Sequence, residues 1–234
     1  MNCNIDILVR EVSEVLKSMS SSKHLEQLSH FGINSSTALG IKVPVLRDFS
    51  KKIGKSHELA QALWKTNIHE ARMLASMIED PDLLTIQQVD KWVNDFNSWD
   101  LCDTTCDVLG KTPFVLDLIE KYSVHTEEFV KRTAFSLMCK LAFHDKKMQN
   151  EQFIEFFKII EREARDERNF VRKAVNWALR QIGKRNEFLR IKAINTAENI
   201  LSQGTKSAKW IAKDAIRELT NEKVIKRVNK TSNK

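Results

Sequence analysis

Glycine and proline are scarce in this chain of 234 residues, with 6 Gly and 3 Pro against ordinary usages of about 7% and 5%. Few breaks are therefore available for the turns of a sheet-rich fold, and helices are favoured. Cys3, Cys102, Cys106 and Cys139 follow no disulfide framework. Cys102 and Cys106 stand one helical turn apart, but neither His125 nor His144 adds a ligand-like spacing, so both are expected as small core residues. Neither a metal nor a cofactor is expected. No apolar run approaches the ~18 residues needed to span a bilayer. The start, Met1-Asn2-Cys3-Asn4-Ile5-Asp6, lacks the basic beginning and apolar core of a signal peptide. These absences predict a soluble protein, intracellular and cytoplasmic or nucleoid-associated in a bacterium, with no membrane partner.

What is present is positive charge and repetition. The formal charge is +7 at pH 7, and the sequence pI is near 9.2, which suits an anionic partner. A phrase recurs at an interval of 41 residues: Phe129-Val130-Lys131-Arg132-Thr133-Ala134, Phe170-Val171-Arg172-Lys173-Ala174-Val175 and Ile211-Ala212-Lys213-Asp214-Ala215-Ile216. A period near 40 without strand signals predicts an all-α, HEAT-like repeat α-solenoid of paired antiparallel helices with a basic concave face. Stacking would set Lys131/Arg132, Arg172/Lys173 and Lys213 in one positive ridge.

Helical periodicity runs nearly unbroken from Ile5 to Asn221, with no linker long enough to divide domains. Residues 1–222 are expected as one solenoid domain, and 223–234, with Lys223, Lys226, Arg227, Lys230 and Lys234 and no acid, as a basic tail that frays. His69-Glu70-Ala71-Arg72 lacks the second histidine of a metalloprotease helix and is expected as a surface pair.

Asn97-Ser98-Trp99-Asp100-Leu101-Cys102-Asp103 is the sharpest motif. Ser98 can cap a helix, which leaves Trp99 and Asp103 one turn apart on the same face. An indole and a carboxylate then project together. The alternative is a core tryptophan with acids that complement the helix dipole. In Phe170 to Arg180 the apolar stripe runs through 171, 174, 175, 178 and 179, and Trp177 falls on its flank. An aromatic there, beside Arg172, Lys173 and Arg180, would suit sugars and bases, or the rim of a core.

These segments, with Leu39-Gly40-Ile41-Lys42-Val43-Pro44 and Arg47, resemble the AlkD-like DNA alkylation repair family of HEAT-repeat glycosylases over about Gly40 to Arg217. The resemblance implies a cationic concave surface that holds duplex DNA and releases N3- and N7-alkylpurines without turning the lesion into a pocket. It implies Asp103 as the catalytic carboxylate, Trp99 and Trp177 as indoles against the deoxyribose and backbone, and Arg132 as a phosphate-binding arginine. Ser98 stands where the family often has a second tryptophan.

The chemistry is consistent on physical grounds. An alkylated purine is cationic and leaves readily, so positive charge accumulates on the sugar. A carboxylate about 4 Å away at an effective dielectric near 20 contributes roughly 4 kcal/mol, on the order of a thousandfold in rate. Asp103 could also orient the water. DNA contacts are expected from Lys131, Arg132, Arg172, Lys173, Arg180, Lys213, Lys42 and Arg47, with Lys184, Arg185 and Lys209 as further candidates. With four to eight phosphates neutralised, the salt slope would be about −4 to −7. A monomer acting on duplex DNA with alkylated purines is expected. The competing reading is a non-catalytic HEAT-like module that grips DNA or a protein through the same face.

Overall fold

A computed structural model describes residues 3–33 and 35–232; Met1, Asn2, Asn34, Asn233 and Lys234 lie outside the described residues, and with them the end of the expected tail. Among the described residues the regular structure is entirely helical. By its internal contacts the chain divides into two compact units, 1–114 and 115–234. Loops at this boundary are as short as those elsewhere, which leaves composition with nothing to mark it.

The first unit contains α1 (Cys3–Ser18), α2 (Ser22–His30), α3 (Val43–Ile53), α4 (His57–Trp64), α5 (His69–Ile78), α6 (Ile86–Asn94) and α7 (Trp99–Leu109). Helix α5 is its axis. It packs against α1, α3, α4 and α7, and Ala71, Leu74, Ala75 and Ile78 are fully buried. Small residues at 71 and 75 let the neighbouring backbones approach closely. Trp64 and Trp92 stack with ring centroids 4.2 Å apart and planes 6° from parallel, and Trp64 donates Nε1–H to Asp95 at 2.8 Å. Gly40 must be glycine. Its φ is +76°, and a Cβ there would stand 2.4 Å from the Ser21 carbonyl oxygen, well inside contact distance.

The second unit contains α8 (Val115–Ser123), α9 (Glu128–His144), α10 (Asn150–Glu163), α11 (Asn169–Gly183), α12 (Glu187–Ser202), α13 (Lys206–Leu219) and α14 (Glu222–Ser232). The recurring phrase lies on α9, α11 and α13, which stack in sequence, while α10 and α12 pack behind them. Equivalent positions do the same work in each copy. Val130, Val171 and Ala212 are buried, as are Thr133, Ala174 and Ala215, and the Phe129 and Phe170 rings lie 5.4 Å apart. Side-chain caps start several of these helices: Asn186 accepts from Leu189 N–H at 2.9 Å, and Thr205 accepts from Ala208 N–H at 3.1 Å. Each satisfies an amide that the helix itself cannot.

The expected tail is helical through Ser232. α14 packs on α12 and α13, and Val228 is fully buried. Burying one valine contributes about 1.5–3 kcal/mol, enough to dock a segment whose charge pattern alone suggested fraying. Among the described residues no helix is long and apolar enough to cross a membrane.

Candidate functional site

Helix α7 begins at Trp99, after Ser98 turns the chain with extended backbone angles. The Ser98 hydroxyl, fully buried, makes no capping bond. Asp100 takes part of that task, its Oδ1 accepting the Leu101 N–H at 2.9 Å. Trp99 and Asp103, four residues apart on this helix, share a face and are both half-buried. Trp99 donates its indole N–H to the Phe31 carbonyl at 2.9 Å, which fixes the ring plane. Cys102 and Cys106 are fully buried on the same helix, as small core residues.

The start of α7 is held by a partner that the sequence did not reveal. His69 Nε2 lies 2.9 Å from Asp100 Oδ2, with the two side chains 3% and 13% exposed. Burial opposes the charged form of His69, yet the bond and charge of Asp100 outweigh it and raise its pKa. Burial likewise opposes ionisation of Asp100, yet His69 outweighs it and lowers that carboxyl. Each partner thus favours the charged form of the other. Next to it, Glu70 accepts the backbone amides of Leu39 and Gly40, each at 2.7 Å, and of Ile41 at 3.1 Å. The expectation of a surface pair at His69-Glu70 is corrected: both are buried. Glu70 satisfies three amides of a loop, and His69 anchors a helix. Nothing in local periodicity signals either partner, since the contacts span about thirty residues.

Lys42 and Arg47 are exposed. Arg47, Lys51, Lys55 and Lys111 line a cleft of about 220 Å³ together with Thr104 and Asp107 of α7. Arg47 therefore stands beside the helix that carries Asp103. Burial and then Lys111 lower the Lys55 ammonium, and its Nζ donates to the Glu79 carbonyl at 2.6 Å.

In the second unit the expected positive ridge is largely paired. Lys131 Nζ lies 2.7 Å from Glu163 and 3.3 Å from Asp166. Arg180 pairs with Glu218 and, through Nε at 3.5 Å, with Asp214; Lys184 meets Glu218 at 2.6 Å. Arg172 lies over the Trp210 ring, 5.2 Å from its centroid. Arg132 is only 6% exposed and donates from Nη1 to the Phe170 carbonyl at 2.7 Å. Its side chain turns toward α11 because the repeat stacks that helix directly beside α9. Lys173, Lys209 and Lys213 are exposed.

Trp177 is half-buried, on the flank of the apolar stripe as its spacing suggested. With the Gln181 amide oxygen turned toward it, Gln181 accepts from Trp177 Nε1 and from Lys184 Nζ, each at 3.1 Å. Trp210 is a residue that sequence reasoning missed. It is 39% exposed, between Lys209 and Lys213, and its signal was the position immediately before the third copy of the phrase. Among the described residues no group of three His, Cys, Asp or Glu side chains could hold a metal ion.

The sequence profile of the family described as DNA alkylation repair enzyme matches residues 12–219. A solved structure described as "a new family of proteins related to the HEAT-like repeat DNA glycosylases with affinity for branched DNA structures" is similar in fold. Its TM-score is 0.75 at 18% identity, over 89% of this chain and 94% of that one. No curated protein sequence matches the chain. The helical pairs and their 41-residue repeat are thus a HEAT-like α-solenoid fold, and the chain belongs to the DNA alkylation repair enzyme family.

Proposed function

We propose that this protein is a DNA glycosylase that hydrolyses the N-glycosidic bond of cationic N3- and N7-alkylpurines in duplex DNA without flipping the base. The observation that carries this reading is the shared face of Trp99 and Asp103 on a helix whose start is clamped by the buried His69–Asp100 pair. A carboxylate beside an indole, on a helix whose start is clamped, is pre-organised for a developing oxocarbenium ion, so little reorganisation opposes the reaction. The Trp99 ring face adds attraction for a cationic sugar, and Asp103 orients the attacking water.

Phosphates are held by Lys42 and Arg47 of the first unit and by Lys173, Lys209 and Lys213 of the second, all exposed. Trp177 and Trp210 offer ring edges and faces along the same helices. Arg132, committed to the Phe170 carbonyl, acts here as a positioning residue for α11, the helix that carries Trp177.

A second reading is a DNA-binding module without catalysis, which would grip DNA through the same cations. One observation favours it: the similar solved structure is described by affinity for branched DNA structures. Excision separates the two. Duplex DNA carrying N7-methylguanine is incubated with wild type and with Asp103→Asn, and abasic sites are counted by alkaline strand cleavage. The glycosylase reading expects base release by wild type and about a thousandfold loss in the variant. Equal background release from both proteins would leave only the binding module.

A further inference from the structure

At one end of the second unit, a cavity of about 310 Å³ opens among Phe143, Lys146, Gln181, Lys184, Arg185 and Arg227. Four of these six side chains are cationic, and the cavity wall has no carboxylate. Two acids stand behind the wall. Glu218 is shared by Lys184 and Arg180, and Asp145 accepts the amides of Lys147 and Met148 at 2.8 and 2.9 Å.

Arg185 is the unusual member. Its guanidinium donates to the carbonyls of Ala142, Asp145 and Met148 at 3.1, 2.7 and 3.1 Å and lies over the Phe153 ring at 4.5 Å. Among the described residues no carboxylate stands within ion-pair distance of it. Carbonyl dipoles at the end of α9 and the nearby Asp145 charge offset part of its own, and an anion at the open side would offset more of what burial costs it. Lys146 and Arg227 are exposed at that side, and the Phe143 ring, 55% exposed, stands with them.

We propose that this cavity is a binding site for an unpaired DNA strand, with a phosphodiester on Lys146, Lys184 and Arg227 and a neighbouring base stacked on Phe143. A positive groove beside an open aromatic is the chemistry by which single strands are held irrespective of sequence. Continuity with the DNA-facing residues supports a strand over a small anion. Gln181 lines the cavity and bonds to both Trp177 and Lys184, so a strand that leaves Trp177 along α11 meets the cavity one turn later. A base within duplex could not reach Phe143, whereas a flap or the arm of a branch could.

The inference rests on the reading that the chain binds DNA, and not on excision. Its test compares fluorescein-labelled blunt duplex, the same duplex with a 3′ oligothymidylate flap, and the oligothymidylate alone, by anisotropy across a salt series. Wild type is expected to prefer the flapped duplex. Phe143→Ala should weaken flap binding about five- to 150-fold, the range of one stacked base, and Lys146→Gln with Arg227→Gln should reduce the salt slope for the flap by about 1 to 2. All three positions are exposed, so folding is preserved; Arg185 is left intact because it caps α9. Equal affinity of wild type for blunt and flapped duplex, or a flap preference that survives these substitutions, overturns the proposal. So does displacement of inorganic phosphate alone, with no gain from the flap, since the site would then take a free anion. Excision of N7-methylguanine with no flap preference removes this inference and leaves the proposed function standing; flap preference without excision does the reverse.

Discussion

Buried acids in the first unit bind backbone and helix starts, whereas acids in the second reach from one repeat to the next. Glu70 takes three amides of the loop before α3. Glu79, fully buried, receives His57, Gln61, Gln88 and the Asp80 amide; burial raises its carboxyl despite these bonds. In the second unit, Asp214 meets Asn176 and Arg180, and Glu218 meets Arg180 and Lys184. The first arrangement fixes the position of a few atoms, as chemistry demands. The second spaces successive helices and leaves the remaining cations outward, as grip demands. The two kinds of wiring suggest a division of labour that substitutions can break.

Asp103→Asn and the double variant Lys173→Glu/Lys213→Glu should fail in different ways. The first should lower single-turnover excision of N7-methylguanine about a thousandfold with DNA affinity nearly intact. The second should reduce the salt slope of duplex binding by about 2, while excision at saturating protein stays near wild type. Stopped excision in both, or weakened binding in both, would mean that chemistry and grip are not divided between the units.

The clamp of α7 comes next in size. Breaking a buried ion pair by removing one partner costs about 3 kcal/mol or more, so His69→Ala should lower the thermal midpoint clearly and slow excision through the displaced Trp99 and Asp103. Its pH dependence has a definite sign. Asp100 has a lowered pKa, so its contribution is complete above the ordinary 3.8 and is lost as pH falls through the depressed value. His69 has a raised pKa, so its contribution is complete below the ordinary 6.5 and is lost as pH rises through the elevated value. Differential scanning calorimetry of wild type and His69→Gln should show the largest gap between those two values, narrowing toward alkaline pH. A gap that grows with pH would mean that the pair is not ionic.

This comparison also explains what the sequence made legible. The repeat and helix positions of the second unit were visible because each copy buries the same places, Val130, Val171 and Ala212 among them. The shift of the polar partners was not. Arg172 meets Trp210, Asn176 meets Asp214 and Arg180 meets Glu218, each one turn before the 41-residue equivalent, so successive repeats stack with an offset of about one turn between α11 and α13. Of the expected ridge, Lys131 meets Glu163 and Asp166, Arg132 the Phe170 carbonyl and Arg172 the Trp210 ring, partners that the period does not name. In the first unit Trp99 and Asp103 could be placed on one face from their spacing alone, but His69 and Glu70 find partners through tertiary packing that has no period.

Glu218→Gln tests the smallest effect and the contrast most directly. In the first unit, neutralising an acid such as Glu70 would loosen a loop, since its partners are amides with no other acceptor. In the second, neutralising Glu218 releases Lys184, which shares the Gln181 amide with Trp177, and leaves Arg180 with Asp214 alone. Surface pairs of this kind contribute little to stability, about 0–1 kcal/mol each, so the fold should hold. Duplex affinity at low salt should rise a few-fold, and the salt slope should steepen by about 1 to 2 as the freed charges take phosphates. An unchanged slope would show that Arg180 and Lys184 take no phosphate of a duplex and serve there only to join α11 to α13.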